Sequence, residues 1–370
     1  MDDLRYWVAF NRTPGVGTAK IRALVDHFGS MQAAWHASEA DWKAAGLDRR
    51  AIDSLRAARA KMDLDAEFAR VSACGARLVT WSDPDYPPLL QSIPDAPPLL
   101  YVKGELTPAD RQWAVSIVGT RRATAYGRQA AERLAGDLAR SGVTVISGLA
   151  RGIDAAAHWA ALRAGGRTIG VMACGIDQVY PAEHARLAAQ IAERGALLTE
   201  TPIGSPPEAG NFPARNRIIS GLSLAAIVVE AGEQSGALIT ADRALEQGRE
   251  VFAVPGSIFS RTSAGANRLI LEGATLVRTA EDVLEALNLR MVAQQAEAQA
   301  VLTSDPVEAS VLKAISQEPT HIDDIVRSMN LSVSQVSSIL AMMELKGLVR
   351  QVGGMNYVRA REGRVEYVVD

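Results

Sequence analysis

Several short stretches of this 370-residue chain place glycine, a hydroxyl and arginine where an apolar run gives way to a helical pattern. The first is Gly119-Thr120-Arg121-Arg122, directly after the apolar run 114–118. Glycine admits a ligand close to the backbone, threonine offers a hydroxyl, and arginine offers a two-pronged fork that matches phosphate. The second, Ser147-Gly148-Leu149-Ala150-Arg151-Gly152-Ile153-Asp154, repeats that recipe and again opens a helix. Asp154 is expected to cap that helix, and His158, one turn on, to pack as an ordinary helix residue. The third, Cys174-Gly175-Ile176-Asp177-Gln178-Val179-Tyr180-Pro181, offers Tyr180, which can stack on a base or close its loop. A Pro/Gly-rich loop, 201–211, then delivers Phe212-Pro213-Ala214-Arg215-Asn216-Arg217 to a helix start. Two arginine forks beside free helix N–H groups make an anion site. Ser235-Gly236 opens another small-residue loop, and Val254-Pro255-Gly256-Ser257 closes the series. One phosphate needs one such loop; a series suits a ligand with several phosphates in a row, or a nucleotide with a large partner.

Other chemistry finds less support. The Gly-x-Gly-x-x-Gly of a dinucleotide site and the Gly-Lys-Ser/Thr of an NTPase loop are both missing from these loops. No Ser-His-Asp set or poised carboxylate pair stands out, and the five histidines (His27, His36, His158, His184, His321) are scattered. Cys74 and Cys174 lie far apart without metal-ligand spacing, as buried thiols of a reducing cytosol would. The expectation is therefore a binder, with no catalytic residue, no metal and no cofactor.

Composition narrows how it binds. The net charge of −3 rules out a general basic coat, so any nucleic-acid site must be a local patch. Only 5% of residues are aromatic, which argues against long rows of stacking rings. Between Asp110 and Asn288 every basic side chain is arginine. Arginine abundance thus reflects a coding bias, and only arginine position is informative. No run of about 18 apolar residues exists to span a membrane and no secretory leader is visible, so a cytoplasmic protein is expected.

Elements must present these loops together. Residues 1–70 read as short helices, with Thr13-Pro14-Gly15-Val16-Gly17-Thr18 shaped like a helix-hairpin-helix turn. That hairpin is equally at home as plain structure, a partner module or a DNA contact. The proline-rich stretch 75–104 reads as strands at 77–81 and 99–102, laid as an extension against the next domain. From 107 to 288, strand patterns (114–118, 143–147, 168–173, 196–199, 225–230, 251–254, 275–277) alternate with helical ones (127–140, 154–164, 182–194, 237–247). Such alternation predicts an α/β fold with a parallel sheet covered on both faces and ligands at the strand tips. A linker, 291–305, precedes helices at 306–317, 322–329 and 332–347 and a strand pair around Gly353-Gly354, the outline of a winged helix. The division is thus 1–70 helical, 71–290 Rossmann-like, 291–305 linker and 306–370 winged helix.

The strings Gly119-Thr120-Arg121, 147–154, 212–222, Val229-Glu230-Ala231, 235–241 and 248–256 resemble the DNA-processing protein A (DprA/Smf) family across residues 75–288. The helical N-terminal unit and the winged C-terminal unit are similar to accessory domains of many members. The resemblance implies an extended Rossmann-like domain that dimerises, binds single-stranded DNA and loads RecA recombinase onto it during natural transformation. By motif it places Arg121, Ser147, Gly148, Arg151, Arg215 and Arg217 in the DNA pocket. Together with the residue reading, the expected DNA-binding set is Gly119, Thr120, Arg121, Ser147, Gly148, Arg151, Gly152, Tyr180, Phe212, Arg215, Asn216, Arg217, Ser235 and Gly236. Thr120 stands where many members carry serine, which keeps the hydroxyl.

Two alternatives compete. Nucleotide phosphoribohydrolases of the lysine-decarboxylase-like family share the fold class, but carry Pro-Gly-Gly-x-Gly-Thr followed shortly by Glu. Here Ser235-Gly236-Ala237-Leu238 stands in that place, and no glutamate follows until Glu246. A transcription regulator reading duplex DNA through the winged helix is the other. Residues 306–370 hold seven Lys/Arg against eight Asp/Glu, and the third helix offers only Lys346 as a cation. That is too few phosphate contacts for a duplex reader.

Overall fold

The computed structural model describes residues 3–289, 307, 310–311, 314–315, 320–329, 331–345 and 349–359. The chain divides into two compact units, Met1–Ala293 and Gln294–Asp370.

In the first unit six helices come first: α1 Leu4–Arg12, α2 Thr18–Phe28, α3 Met31–His36, α4 Glu39–Ala44, α5 Arg49–Lys61 and α6 Leu64–Ala73. Side-chain caps start several of them: Ser30, Ser38, Asp48 and Asp63 each accept a first-turn N–H. Strand β1 (Arg77–Thr80), helix α7 (Pro88–Gln91), strand β2 (Leu99–Gly104) and helix α8 (Pro108–Gln112) follow. Alternation then sets in: β3 Ala114–Val118, α9 Ala125–Arg140, β4 Thr144–Ser147, α10 Ile153–Arg163, β5 Thr168–Val171, α11 Ala185–Arg194, β6 Ala196–Thr199. It continues through α12 Asn211–Gly221, β7 Ala225–Val228, α13 Gly236–Glu246, β8 Glu250–Ala253, α14 Ala264–Leu271, β9 Thr275–Leu276 and α15 Ala280–Ala286.

One nine-stranded sheet results, in the order β1-β2-β6-β5-β4-β3-β7-β8-β9. Strands β3 to β9 are mutually parallel, as the alternation predicts. The stretch 75–104 departs from expectation. It does not merely lie against the sheet but joins it, β2 pairing antiparallel with β6 (Tyr101↔Thr199, Gly104↔Ala196) and β1 with β2. The sheet is therefore mixed. A parallel sheet needs a crossover for each new strand, whereas the short 81–98 connection suffices for an antiparallel pair.

Helices cover both faces of the parallel part. Val115, Ile117 and Val145 point into a core shared with α9, α10 and α15, while Val118 and Ile146 point to α12, α13 and α14. The N-terminal helices are not free-standing: Phe10, Trp35 and Trp42 share a core with Tyr101, Met172, Leu187 and Leu197. Strand order runs outward from β3 in both directions, through β4 on one side and β7 on the other. That reversal opens a crevice at the strand C-termini, the place where open α/β sheets take ligands.

The second unit is a winged helix: β10 Thr320–His321, α16 Ile322–Met329, α17 Val333–Leu345, β11 Val349–Gln351 and β12 Asn356–Arg359. Its strands run in the order β10-β12-β11 around a core that includes Ile325, Leu340 and Tyr357. Ser332 and Gln335 exchange side-chain-to-backbone bonds (3.4 and 3.0 Å) at the start of α17. The expected linker and most of the expected 306–317 helix lie outside the described residues.

Candidate functional site

A cleft of about 630 Å³ lies at the β3–β7 reversal. Its walls come from the tip of β3 (Gly119, Arg121), the β4–α10 loop (Ala150), the first turn of α10 (Asp154), Tyr180, and the N-terminal turns of α12 and α13. Eight of the sequence-predicted residues meet here: Gly119, Arg121, Tyr180, Phe212, Arg215, Asn216, Ser235 and Gly236. A small neighbouring recess adds Gly148 and Arg151 beside Arg121, Tyr180 and Phe212.

At the mouth, the exposed Arg121 guanidinium sits over the Phe212 ring, 4.9 Å from its centroid. Tyr180 stands beside Phe212 with ring centroids 5.6 Å apart, tilted by 60°. A cation, two rings and open solvent are thus in contact at one point. Glycine 119 sits at the root of this loop because a Cβ there would stand 2.9 Å from the Glu230 carbonyl oxygen and collide with Ile153.

Arg215 serves differently. It is 5% exposed and forms the cleft floor, its Nη1 donating to the carbonyls of Gly148 (2.6 Å) and Val171. A Cβ on residue 148 would lie 2.7 Å from the Arg215 guanidinium carbon, well inside carbon–carbon contact distance, so only glycine lets the fork reach the β4 tip. Burial pushes the Arg215 pKa down to about 10, opposed chiefly by Asp154. Burial likewise pushes the Asp154 carboxyl above its ordinary range, with Arg215 and two N–H donors acting against that. Those donors are Gly148 N (3.1 Å) and Ala150 N (3.3 Å), so Asp154 braces the loop behind it rather than capping α10. The same loop holds Leu149 at φ +58°, a left-handed conformation that a branched residue adopts only when its surroundings force it.

Ser147, Thr120, Gly152 and Arg217 are not among the residues lining the cleft. Ser147 is buried and donates its hydroxyl to Ile117 O at 2.6 Å, tying β4 to β3. Thr120 accepts from Arg122 N and stays within its own loop. Gly152 (φ +76°) lies against Arg121, where a Cβ would be 2.8 Å from its carbonyl carbon; it holds the two loops together. Arg217 points the other way, to Asp95 (3.0 Å) and Glu200 (2.6 Å). The reason is helical phase: α12 already begins at Asn211, so residues 215 and 217 lie inside it, about 200° apart around its axis. Asn216 instead donates to Gly236 O (3.2 Å), and Ser235 caps α13 through Ala237 N (3.3 Å). Arg151 is exposed and bidentate to Glu183, both distances 2.8 Å.

Sequence reasoning missed Ala150, Pro207, Ala209, Ile239 and Thr240, which also line the cleft. The unusual length of the 201–211 loop was a signal for two of them; Thr240 lies one turn after Gly236. Among the described residues no group of three or more His, Cys, Asp or Glu is placed to hold a metal ion. Among them, too, no helix is long and apolar enough to cross a membrane.

Residues 77–288 match the family described as DNA recombination-mediator protein A, and residues 295–355 match the DprA winged helix domain. Protein Smf of Synechocystis is 36% identical over 390 residues, covering 96% of this chain and 98% of that one. The DNA processing protein DprA of Bacillus subtilis is 44% identical over 247 residues, 65% of this chain and 83% of the relative. The structure is similar to that of Streptococcus pneumoniae DprA, with a TM-score of 0.68, 36% identity, and coverage of 76% of this chain and 97% of that one. It is also similar to the Helicobacter pylori DNA processing protein A studied for its single-stranded DNA binding mode: TM-score 0.53, 30% identity, 59% and 98% covered.

Proposed function

The chain belongs to the DNA recombination-mediator protein A family, and we propose that its cleft grips single-stranded DNA without chemistry, for loading of a RecA recombinase during natural transformation. The observation that carries this reading is the mouth of the cleft, where Arg121 lies over Phe212 beside Tyr180. Rings accept bases and the fork accepts phosphate, a pairing that a flexible strand can satisfy and a duplex, with its bases stacked inside, cannot. The starts of α12 and α13 add N–H groups to the same wall, which favours the strand's negative charge. Arg151 joins by exchanging Glu183 for phosphate, because an exposed ion pair is worth only about 0–1 kcal/mol. Arg215, Asp154, Ser147 and Gly152 build the floor and hold the loops.

In this reading the protein is a cytoplasmic homodimer, and its partners are single-stranded DNA and RecA. Segment 1–70, the Rossmann-like 71–290 and the winged helix 306–370, joined by 291–305, are its modules. The relative from Helicobacter pylori, studied for its single-stranded DNA binding mode, supports the ligand class. The test compares single- and double-stranded oligonucleotides of equal length by fluorescence anisotropy at two salt concentrations. Preference for the single strand, weakening with salt, is expected; equal affinity for duplex would defeat the proposal. Release of free base from nucleoside monophosphates would point instead to a phosphoribohydrolase.

A further inference from the structure

The loop between β8 and α14 carries two of the most exposed large apolar side chains among the described residues, Ile258 at 85% and Phe259 at 92%. It is held in place along its length. The Tyr126 hydroxyl donates to Pro255 O at 2.6 Å. Asn267 exchanges two bonds with the Gly256 backbone (3.0 and 3.1 Å). Within the loop Phe259 N donates to Ser257 Oγ at 3.2 Å, and the Ser260 and Thr262 hydroxyls lie 2.9 Å apart. At its far end the Thr262 hydroxyl donates to Glu230 Oε1 at 2.5 Å, while Glu230 Oε2 accepts from Thr124 N at 2.9 Å. A braced loop that spends its hydrogen bonds on holding a phenyl ring in water is built for an occupant that covers the ring.

Three features of the surroundings say which occupant. Glu230 ties this loop to the Arg121 loop, whose backbone also bonds it through Thr120 N and Glu230 O at 2.7 Å. A second cleft, of about 460 Å³, lies between the two loops, lined by the hydroxyl-bearing Thr124, Tyr126, Ser257, Ser260 and Ser263 together with Pro255, Gly256 and Glu230. Arg122 and Arg261, close in sequence to the lining residues Thr124 and Ser260, are exposed, and neither makes an ion pair with a described carboxylate. Glu230 in that lining is 1% exposed, and its two carboxylate oxygens accept from Thr124 N and the Thr262 hydroxyl. Ring, hydroxyls and uncommitted cations repeat, across one loop, the composition of the main cleft.

We propose that the Pro255-Gly256-Ser257-Ile258-Phe259-Ser260-Arg261-Thr262 loop is a second single-strand subsite, in which Phe259 stacks on a base and Arg261 takes a phosphate of a strand leaving the main cleft over Thr124. This rests on the single-strand reading of the main cleft. It makes the length of strand bound, and not only the affinity, a property of this loop.

The experiment measures binding of the full chain to labelled oligothymidylates of about 5 and about 20 nucleotides, lengths that bracket the ~4–16 nucleotides one stacking site covers. Phe259→Ala should weaken the long oligonucleotide by roughly 5- to 100-fold, the equivalent of one lost base–aromatic stack, and leave the short one unchanged. Phe259→Trp should restore it. Arg261→Ala should lower the salt slope on the long strand by about 0.7. Arg121→Ala, by contrast, should weaken both lengths. Because Phe259 and Arg261 are exposed, unchanged melting temperatures are expected and serve as the folding control. Long-strand binding by Phe259→Ala and Arg261→Ala equal to that of the parent overturns the second subsite alone. A change of oligomeric state in Phe259→Ala with both affinities kept also overturns it, and assigns the ring to contact between copies. Failure of the parent to bind either length brings down the main-cleft reading and this one together.

Discussion

The two ends of the parallel sheet both hold arginine, and they use it in opposite ways. At the end where β3, β4 and β5 begin, Arg167 closes on the buried Asp110 with bonds of 2.9, 3.1 and 2.7 Å. Two more of its N–H groups go to the carbonyls of Arg194 and Glu105. Thr144 donates a further bond to Asp110 at 2.7 Å. Burial alone would raise the Asp110 pKa, yet these donors hold it below the ordinary carboxylate value. At the other end Arg121 faces solvent with an aromatic ring as its contact. Charge balanced on the spot is architecture; charge left open at a crevice is available to a ligand.

The strongest way to break this contrast is Arg167→Ala. Leaving Asp110 buried and unpaired should cost about 3–5 kcal/mol of stability, read as a lowered denaturant midpoint. Single-strand affinity under folding conditions should not change. A variant that stays stable but binds poorly would show that the two ends are not separate in role.

Arg121→Ala should do the reverse. Loss of one charge-assisted contact, worth about 1.5–3 kcal/mol, predicts roughly 10- to 100-fold weaker binding with unchanged melting temperature. Arg121→Lys should recover only part, since an ammonium cannot reproduce the fork. Arg217→Ala, which strands Glu200, should lower stability and leave the salt slope of binding alone. A flattened slope in Arg217→Ala would return that residue to the cleft.

A further effect sharpens the comparison through pH. His158 is buried, its Nδ1 2.6 Å from the Thr168 hydroxyl at the start of β5, and burial lowers its pKa from 6.5 to about 3. The unfolded chain therefore binds the proton more readily than the folded one. The stability that a neutral His158 contributes is complete above pH 6.5 and falls as pH drops from 6.5 towards 3, by up to about 1.4 kcal/mol per unit. Denaturant melts from pH 7 to pH 4 should show this loss in the parent and not in His158→Gln.

Much of this was legible in the chain itself. The strands 114–118 and 196–199 and the helix 322–329 fall where the patterns place them, because apolar alternation and turn residues act locally. Of the strings that resemble the DprA/Smf family, 119–121, 147–154, 212–222 and 235–241 contribute to the crevice, while Glu230 and 255–256 line the separate, smaller cleft. The sequence by itself determined which side chains stand at the strand tips. Tertiary structure alone decided what each one does there. Arg215 meets its acceptors 67 and 44 positions away, and Arg217 meets Glu200 across the 201–211 loop. Nothing in Arg-Asn-Arg as a string says which fork turns inward, because that depends on the phase of α12 and on a glycine at 148. The same holds for residues 4–73. Their helices are written locally, but only long-range packing shows Phe10 and Trp35 sharing a core with Leu187 and Leu197. Local pattern fixes elements; burial and partner, which arise between distant segments, separate a binding arginine from a structural one.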